Sequence, residues 1–111
     1  MTNELQERNL TMLTDFYEIT MANGYFKNGV GDRITQFDMF FRDVPDKGGF
    51  AVMAGVEQLA DYLRNLKFTD DDLNYLAGKG FDKAFLDYLR DFDFCCDIWC
   101  VPEGTPIFPY E

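Results

Sequence analysis

The hydrophobic positions between Leu10 and Lys27 recur with the period of an α-helix. Met12, Phe16 and Ile19 lie three or four residues apart on one face. Tyr17 lies on an adjacent face that is also largely apolar, so the apolar arc is wide. A wide arc is typical of a helix that packs against more than one layer. We therefore predict a helix here.

The residues from Arg33 to Arg42 alternate with the period of a strand. One face is aromatic and includes Phe37 and Phe41, whereas the other is mixed and includes Phe40 next to Arg42. The pattern predicts a strand over this segment. Shorter apolar stretches at residues 50–53, at 94–101 and after the proline at position 106 predict three further strand segments.

Three more helices are predicted in the second half of the chain. The first runs from Gly55 to Leu66 and carries a narrow apolar stripe. The second begins at Thr69, which can cap it and is followed by three aspartates that suit the positive end of a helix. The third begins at Asp82 and places Phe85 on its buried side.

This order of elements predicts an α+β fold. Helices grouped between strands favour helices packed on a small, mainly antiparallel sheet over a regular βαβ winding. We divide the sequence into an N-terminal arm at residues 1–10 and an α+β domain at residues 11–111. The tail turns at Pro102–Thr105 and ends without a polar segment, which favours an incomplete domain of a longer chain.

Composition narrows the class of protein. The chain has 111 residues, 47% of them hydrophobic, and a formal net charge of -10 without any histidine. A hydrophobic fraction of this size argues against disorder, and the charge argues against nucleic-acid binding. The first residues lack the basic and apolar regions of a signal peptide, so we expect a cytoplasmic protein.

The three cysteines do not match a metal site. Cys95, Cys96 and Cys100 lie in one short apolar stretch, without the fourth ligand that zinc requires. We expect buried, reduced thiols here.

Four features could carry chemistry, and each has a plainer interpretation. Asp15 and Glu18 share a helix face and could hold Mg²⁺, or could belong to a solvated face. Tyr17 stands beside them and could be a half-buried core tyrosine. Arg42 can bind phosphate or carboxylate through its fork of donors. Gly48-Gly49 could allow a close approach of backbone to ligand, or could be a simple turn.

An ordered set of motifs resembles the nicotinate phosphoribosyltransferase family. These motifs are Leu13-Thr14-Asp15-Phe16-Tyr17-Glu18-Ile19-Thr20-Met21, Phe40-Phe41-Arg42, Gly48-Gly49-Phe50-Ala51-Val52, Ala54-Gly55-Val56-Glu57 and Val101-Pro102-Glu103-Gly104-Thr105-Pro106-Ile107-Phe108-Pro109. The resemblance extends from about residue 10 to the C-terminus.

The resemblance implies an enzyme of NAD salvage. Family members are ATP-coupled glycosyltransferases or ligases that join nicotinate to 5-phosphoribosyl-1-pyrophosphate, giving nicotinate mononucleotide and pyrophosphate. They use Mg²⁺ and ATP through a phosphorylated histidine, and they form homodimers with the active site at the subunit interface. The longer enzymes add an α/β barrel after the segment seen here. A chain without histidine would then be the N-terminal part, inactive alone and without catalytic or metal-binding residues of its own.

Three site residues follow from this resemblance. Tyr17 matches the tyrosine that stacks on the nicotinate ring, and Arg42 matches an arginine that contacts the phosphates of the phosphoribosyl donor. Asp15 matches an acidic residue near the same site. The alternative from a different class is a non-catalytic, acidic α+β interaction module.

Overall fold

The computed structural model describes residues 9–110, and within them the fold is α+β as predicted. Its four helices, short 3₁₀ turn and two-stranded antiparallel sheet have these bounds: α1 Phe16–Lys27, the 3₁₀ turn Pro45–Lys47, β1 Ala51–Val52, α2 Val56–Arg64, α3 Asp70–Gly78, α4 Lys83–Arg90 and β2 Pro106–Ile107. The predicted arm lies outside the described residues except for its last two positions, and its boundary stays a prediction. No helix of the described part is long and apolar enough to cross a membrane.

The chain folds as two compact units. Among the described residues, the first comprises 9–34 together with Tyr62–Cys95, and the second comprises Thr35–Asp61 together with 96–110. The division falls inside α2. Each unit has its own source of order, so each is described separately.

The first unit is built on a core between α1, α3 and α4. Its buried residues are Ile19, Phe68, Leu73, Leu76, Phe85 and Leu89. Leu76 and Phe85 are fully buried, and the ring of Phe26 lies 5.7 Å from that of Phe85. Apart from Phe68, which precedes α3, these side chains are the apolar positions that the helical periodicity places on one face of each helix.

Local signals set the helix ends, as predicted. The Thr69 hydroxyl accepts a hydrogen bond from the backbone N–H of Asp72, and the Asp72 carboxylate accepts one from the backbone N–H of Thr69. This reciprocal arrangement is a capping box. Asp82 caps α4 through the N–H of Phe85. Helix α1 ends at Asn28 and Gly29, where Gly29 has a φ of 67° that suits glycine.

An ion pair joins α1 to α4. The Lys27 Nζ lies 2.8 Å from the Asp82 carboxylate, and the backbone N–H of Phe85 donates to the same carboxylate at 3.1 Å. The pKa of Asp82 therefore lies below its ordinary value of 3.8, chiefly because of the Lys27 hydrogen bond and then that of Phe85. The charged form of Asp82 is the form that the fold favours.

The second unit is held by backbone pairing and one carboxylate. Ala51 pairs with Ile107 and Val52 with Pro106 in β1 and β2. The Glu103 carboxylate accepts hydrogen bonds from the N–H groups of Gly55 and Val56, at 2.9 and 2.7 Å. It thereby satisfies free donors at the start of α2 from 47 residues away in the sequence.

Two predicted strands are wrong. Residues 33–42 and 94–101 are not paired into any sheet of the described residues. All their residues except the half-buried Phe41 and Phe94 are exposed, with Ile34 at 100% and Trp99 at 94% relative exposure. Alternation identifies the two faces of an extended segment, but a strand also needs a neighbour that supplies hydrogen bonds.

Two smaller predictions also need correction. Helix α1 begins at Phe16 rather than Leu10, because Asp15 is extended at a ψ of 140° and the residues before it form turns. Thr11 lies in these turns, and its hydroxyl accepts a hydrogen bond from the backbone N–H of Lys67. The three cysteines are free thiols but exposed, since they lie on the unpaired segment at residues 94–101.

Removing the largest core side chain should destabilise the first unit strongly. We expect Phe85→Ala to lower the free energy of unfolding by about 3–5 kcal/mol, because it leaves a cavity where no atom is exposed. Phe37→Ala is the matched control, since Phe37 is 88% exposed and its loss should cost less than about 0.5 kcal/mol. Urea unfolding followed by far-ultraviolet circular dichroism measures both. Equal losses in the two variants would contradict the assigned core.

The Lys27–Asp82 pair should make stability depend on acid pH. A carboxylate whose pKa is depressed on folding stabilises the fold above the unfolded pKa, and this contribution is lost as pH falls through the folded pKa. We therefore expect the free energy of unfolding to fall as the pH drops from about 5 through 3.8 and below. Asp82→Asn should make this fall shallower.

The control for this pH dependence is Asp93→Asn. Among residues 9–110, no cation contacts the Asp93 carboxylate. Urea unfolding at several pH values measures how the free energy of unfolding changes with pH. We expect Asp93→Asn to show the same pH dependence as the parent chain. An unchanged slope in Asp82→Asn would contradict the stabilising role of the pair.

Candidate functional site

The start of α1 presents two carboxylates at an open surface. Asp15 is the N-terminal cap residue, but its side chain makes no capping hydrogen bond. The Thr14 hydroxyl donates to the Glu18 carboxylate. Both carboxylates line a shallow depression together with Leu13. The arrangement leaves Asp15 available to a ligand or to a neighbouring side chain.

Tyr17 presents its ring to solvent. The side chain is 58% exposed, and among the described residues its hydroxyl has no hydrogen-bond partner. The structure therefore does not support the alternative of a half-buried tyrosine with a hydrogen bond. Tyr17 belongs to a row of exposed side chains four residues apart on α1, and exposed Leu13 lies in the turn before the helix. We call these four residues the α1 stripe: Leu13, Tyr17, Met21 and Tyr25.

Arg42 lies in the second unit, against aromatic rings. Its guanidinium carbon is 5.7 Å from the centre of the Phe40 ring. Phe40 in turn stacks on Tyr110, with ring centres 5.5 Å apart and planes inclined by 27°. The backbone N–H of Tyr110 donates to the carbonyl of Phe41 at 2.9 Å. We call Arg42, Phe40 and Tyr110 the Arg42 stack.

The charge of Arg42 is not neutralised locally. Within residues 9–110, no carboxylate lies at ion-pair distance from its guanidinium. Arg42 differs in this respect from Lys27 and Arg90, which each lie at ion-pair distance from an aspartate. An exposed guanidinium with free donors is suited to bind a phosphate or a carboxylate.

The turn after Arg42 is tight. Asp46 and Lys47 adopt positive φ values of 61° and 54°, and the N–H of Gly48 donates to the carbonyl of Pro45. A side chain at Gly48 would approach Val44 to 3.1 Å, so the turn itself explains that glycine. Gly49 has open space where a side chain would stand, so the turn explains Gly48 alone.

The residues described here do not fit a complete metal site. Across residues 9–110, no three Asp, Glu, Cys or His side chains come close enough to share an ion. Asp15 and Glu18 supply two carboxylates at one surface, and Mg²⁺ held by so few protein ligands also needs waters or substrate phosphates.

The predicted site residues fall into both units. Asp15 and Tyr17 lie at the start of α1 in the first unit, and Arg42 lies in the second. Sequence reasoning missed the partners of Arg42. The alternation pattern already placed Phe40 on the face of Arg42, but nothing in the sequence indicated that Tyr110 would stack there.

The N-terminal domain of nicotinate phosphoribosyltransferase is the family model that matches, over residues 12–111. Among similar proteins, the nicotinate phosphoribosyltransferase of Bacillus subtilis is 38% identical over 107 residues, which cover 96% of this chain and 22% of the relative. Nicotinate phosphoribosyltransferase 2 of Arabidopsis thaliana is 38% identical over 102 residues, 88% of this chain and 18% of the relative. The human nicotinate phosphoribosyltransferase is 37% identical over 103 residues, which cover 88% of this chain and 19% of the relative. The chain spans about a fifth of the length of these relatives.

The exposure of Tyr17 predicts that the fold does not depend on it. We expect Tyr17→Ala to change the free energy of unfolding by less than about 0.5 kcal/mol. Tyr88→Ala should cost more than about 1 kcal/mol, because the Tyr88 ring lies 4.9 Å from Phe26 and 6.4 Å from Phe85. Urea unfolding of the two variants is the measurement. A loss in Tyr17→Ala as large as in Tyr88→Ala would mean that Tyr17 is a structural residue.

Proposed function

The chain belongs to the nicotinate phosphoribosyltransferase family through its N-terminal domain, and from this we propose that it supplies two substrate-binding groups to that reaction. The proposed reaction joins nicotinate to 5-phosphoribosyl-1-pyrophosphate, giving nicotinate mononucleotide and pyrophosphate in NAD salvage. One observation supports the proposal: the Tyr17 ring is exposed, and the exposed Arg42 has no carboxylate of residues 9–110 at ion-pair distance.

Tyr17 is the proposed contact for nicotinate. Its ring is exposed, so an aromatic ligand can stack on it without displacing the core of the first unit. Pyridine rings are electron-poor, and offset stacking on a phenol ring is favourable for them. Asp15 lies two residues before Tyr17 at the same helix start, and we assign it to the edge of the nicotinate site.

Arg42 is the proposed contact for the phosphates of the donor. A guanidinium offers paired N–H donors that match the geometry of phosphate oxygens. Because no carboxylate of residues 9–110 competes for Arg42, its donors are free for this contact. The net charge of -10 does not prevent the contact, since charges beyond about 8–10 Å are screened at physiological salt.

The complete enzyme of this proposal is a cytoplasmic homodimer that uses Mg²⁺ and ATP. The α1 stripe supports the homodimer, because it leaves Tyr17 in an exposed apolar surface that a second subunit can cover. Residues 9–110 contain no group of three His, Cys, Asp or Glu side chains that could hold the ion, so the proposal places the Mg²⁺ site elsewhere in the complete enzyme.

A chimera tests the proposal directly. Residues 9–110 would replace the matching segment of the Bacillus subtilis relative, and formation of nicotinate mononucleotide would be assayed with nicotinate, the donor and ATP. We expect Tyr17→Ala to raise KM for nicotinate about tenfold, and Arg42→Gln to raise KM for the donor about tenfold, each with a smaller effect on the other substrate. A tenfold change corresponds to the loss of about 1.4 kcal/mol of binding.

Matched controls come from the same chain. Tyr75 is an exposed tyrosine on α3, and Arg33 is an exposed arginine near Arg42 in the sequence. Tyr75→Ala and Arg33→Gln should leave both KM values within twofold of the parent chimera. A chimera that is active and insensitive to Tyr17→Ala and Arg42→Gln would contradict the proposal. The 111-residue chain alone should show no turnover, because it lacks a histidine that could be phosphorylated.

A further inference from the structure

The Arg42 stack places an arginine on an aromatic ring at an exposed surface. Phe40 is 48% exposed and Tyr110 is 70% exposed, so neither ring belongs to a core. The guanidinium carbon lies 5.7 Å from the centre of the Phe40 ring, which is within the range of a cation–π contact. A guanidinium can stack on a ring by its face, and its N–H donors, which lie in the guanidinium plane, are then free for a ligand.

Two further contacts fix the ring beneath Arg42. Tyr110 stacks on Phe40, and the backbone N–H of Tyr110 is bonded to the carbonyl of Phe41. The hydrogen bond therefore ties the end of the described chain to the segment that carries Arg42. Tyr110 adopts a positive φ of 64°, which is unusual for a tyrosine.

We propose that Phe40 is a positioning residue for Arg42, and that Tyr110 supports Phe40 in this role. The inference rests on the proposed function of Arg42 as a phosphate contact. A free arginine side chain samples many rotamers, and binding must order it at a cost in entropy. A guanidinium that is already held on a ring loses less conformational entropy when a diphosphate group binds to its edge.

The expected effect is modest and measurable. A cation–π contact at an exposed site corresponds to about a two- to fivefold change in affinity. Phe40→Leu removes the ring but keeps an apolar side chain. We therefore expect its affinity for inorganic pyrophosphate to be lower than that of the parent chain by this factor. Phe40→Trp restores a ring face of greater cation–π strength and should restore the affinity. Tyr110→Phe keeps the stacking ring and should leave the affinity unchanged.

Nuclear magnetic resonance of the 111-residue chain gives the test. In ¹⁵N-labelled protein, the side-chain Nε–H signal of Arg42 reports both the ring beneath it and the ligand at its edge. Arg42→Gln identifies this signal. We expect the signal to carry a ring-current shift that Phe40→Leu removes and Phe40→Trp retains, and we expect it to move on titration with inorganic pyrophosphate. Phe37→Leu is the control, because Phe37 lies on the opposite face of the same segment and is 88% exposed.

The outcomes separate this inference from the proposed function. A parent chain whose Arg42 signal does not respond to pyrophosphate overturns Arg42 as the phosphate contact, and the positioning role falls with it. A parent chain and a Phe40→Leu variant that bind pyrophosphate equally overturn the positioning role alone. Backbone spectra show whether each variant is folded. If Phe37→Leu lowers the affinity for pyrophosphate as much as Phe40→Leu does, the positioning role of Phe40 is also contradicted.

Discussion

Burial of Phe85 and Leu76 between three helices is the interaction on which the first unit depends. Both side chains are fully buried, and Ile19 brings α1 into the same cluster. Because α1 commits the face of Ile19 to this core, its adjacent face is left to solvent. That is the face of the α1 stripe, so the packing that fixes α1 also determines that Tyr17 is exposed.

The second unit is stabilised in a different way. No hydrophobic residue of its described part is fully buried, and its order comes from β1, β2 and the Glu103 carboxylate. Burial contributes little to such a unit, so directional hydrogen bonds and ring contacts decide where side chains point. The Arg42 stack is the result of this kind of order. An aromatic neighbour can orient an arginine side chain at a surface even where no hydrophobic core lies beneath it.

The sequence predicted what local interactions determine. The caps at Thr69 and Asp82, the end of α1 at Asn28 and the turn before β2 were all predicted correctly, because each depends on residues within four or five positions. The strands at 33–42 and 94–101 were wrong because pairing depends on a distant partner, which alternation does not reveal. The prediction that the cysteines are buried was wrong for the same reason, because it assumed that residues 94–101 form a paired strand. Tyr17 and Arg42 were identified by resemblance to a family, whereas Glu103 and Tyr110 act on residues far away in the sequence, where no local pattern points to them.

The way in which cations are paired says more about this chain than its net charge does. Acidic residues outnumber basic ones two to one, so a basic side chain readily finds a carboxylate. Lys27, Lys83 and Arg90 each do so, and these pairs lie on helices where both partners are fixed by the backbone. Arg42 instead lies on an extended segment over the ring of Phe40. An aromatic ring holds a cation without cancelling its charge, so Arg42 keeps its attraction for anions. In an acidic protein, this combination leaves the positive charge of one arginine uncancelled by a carboxylate among residues 9–110.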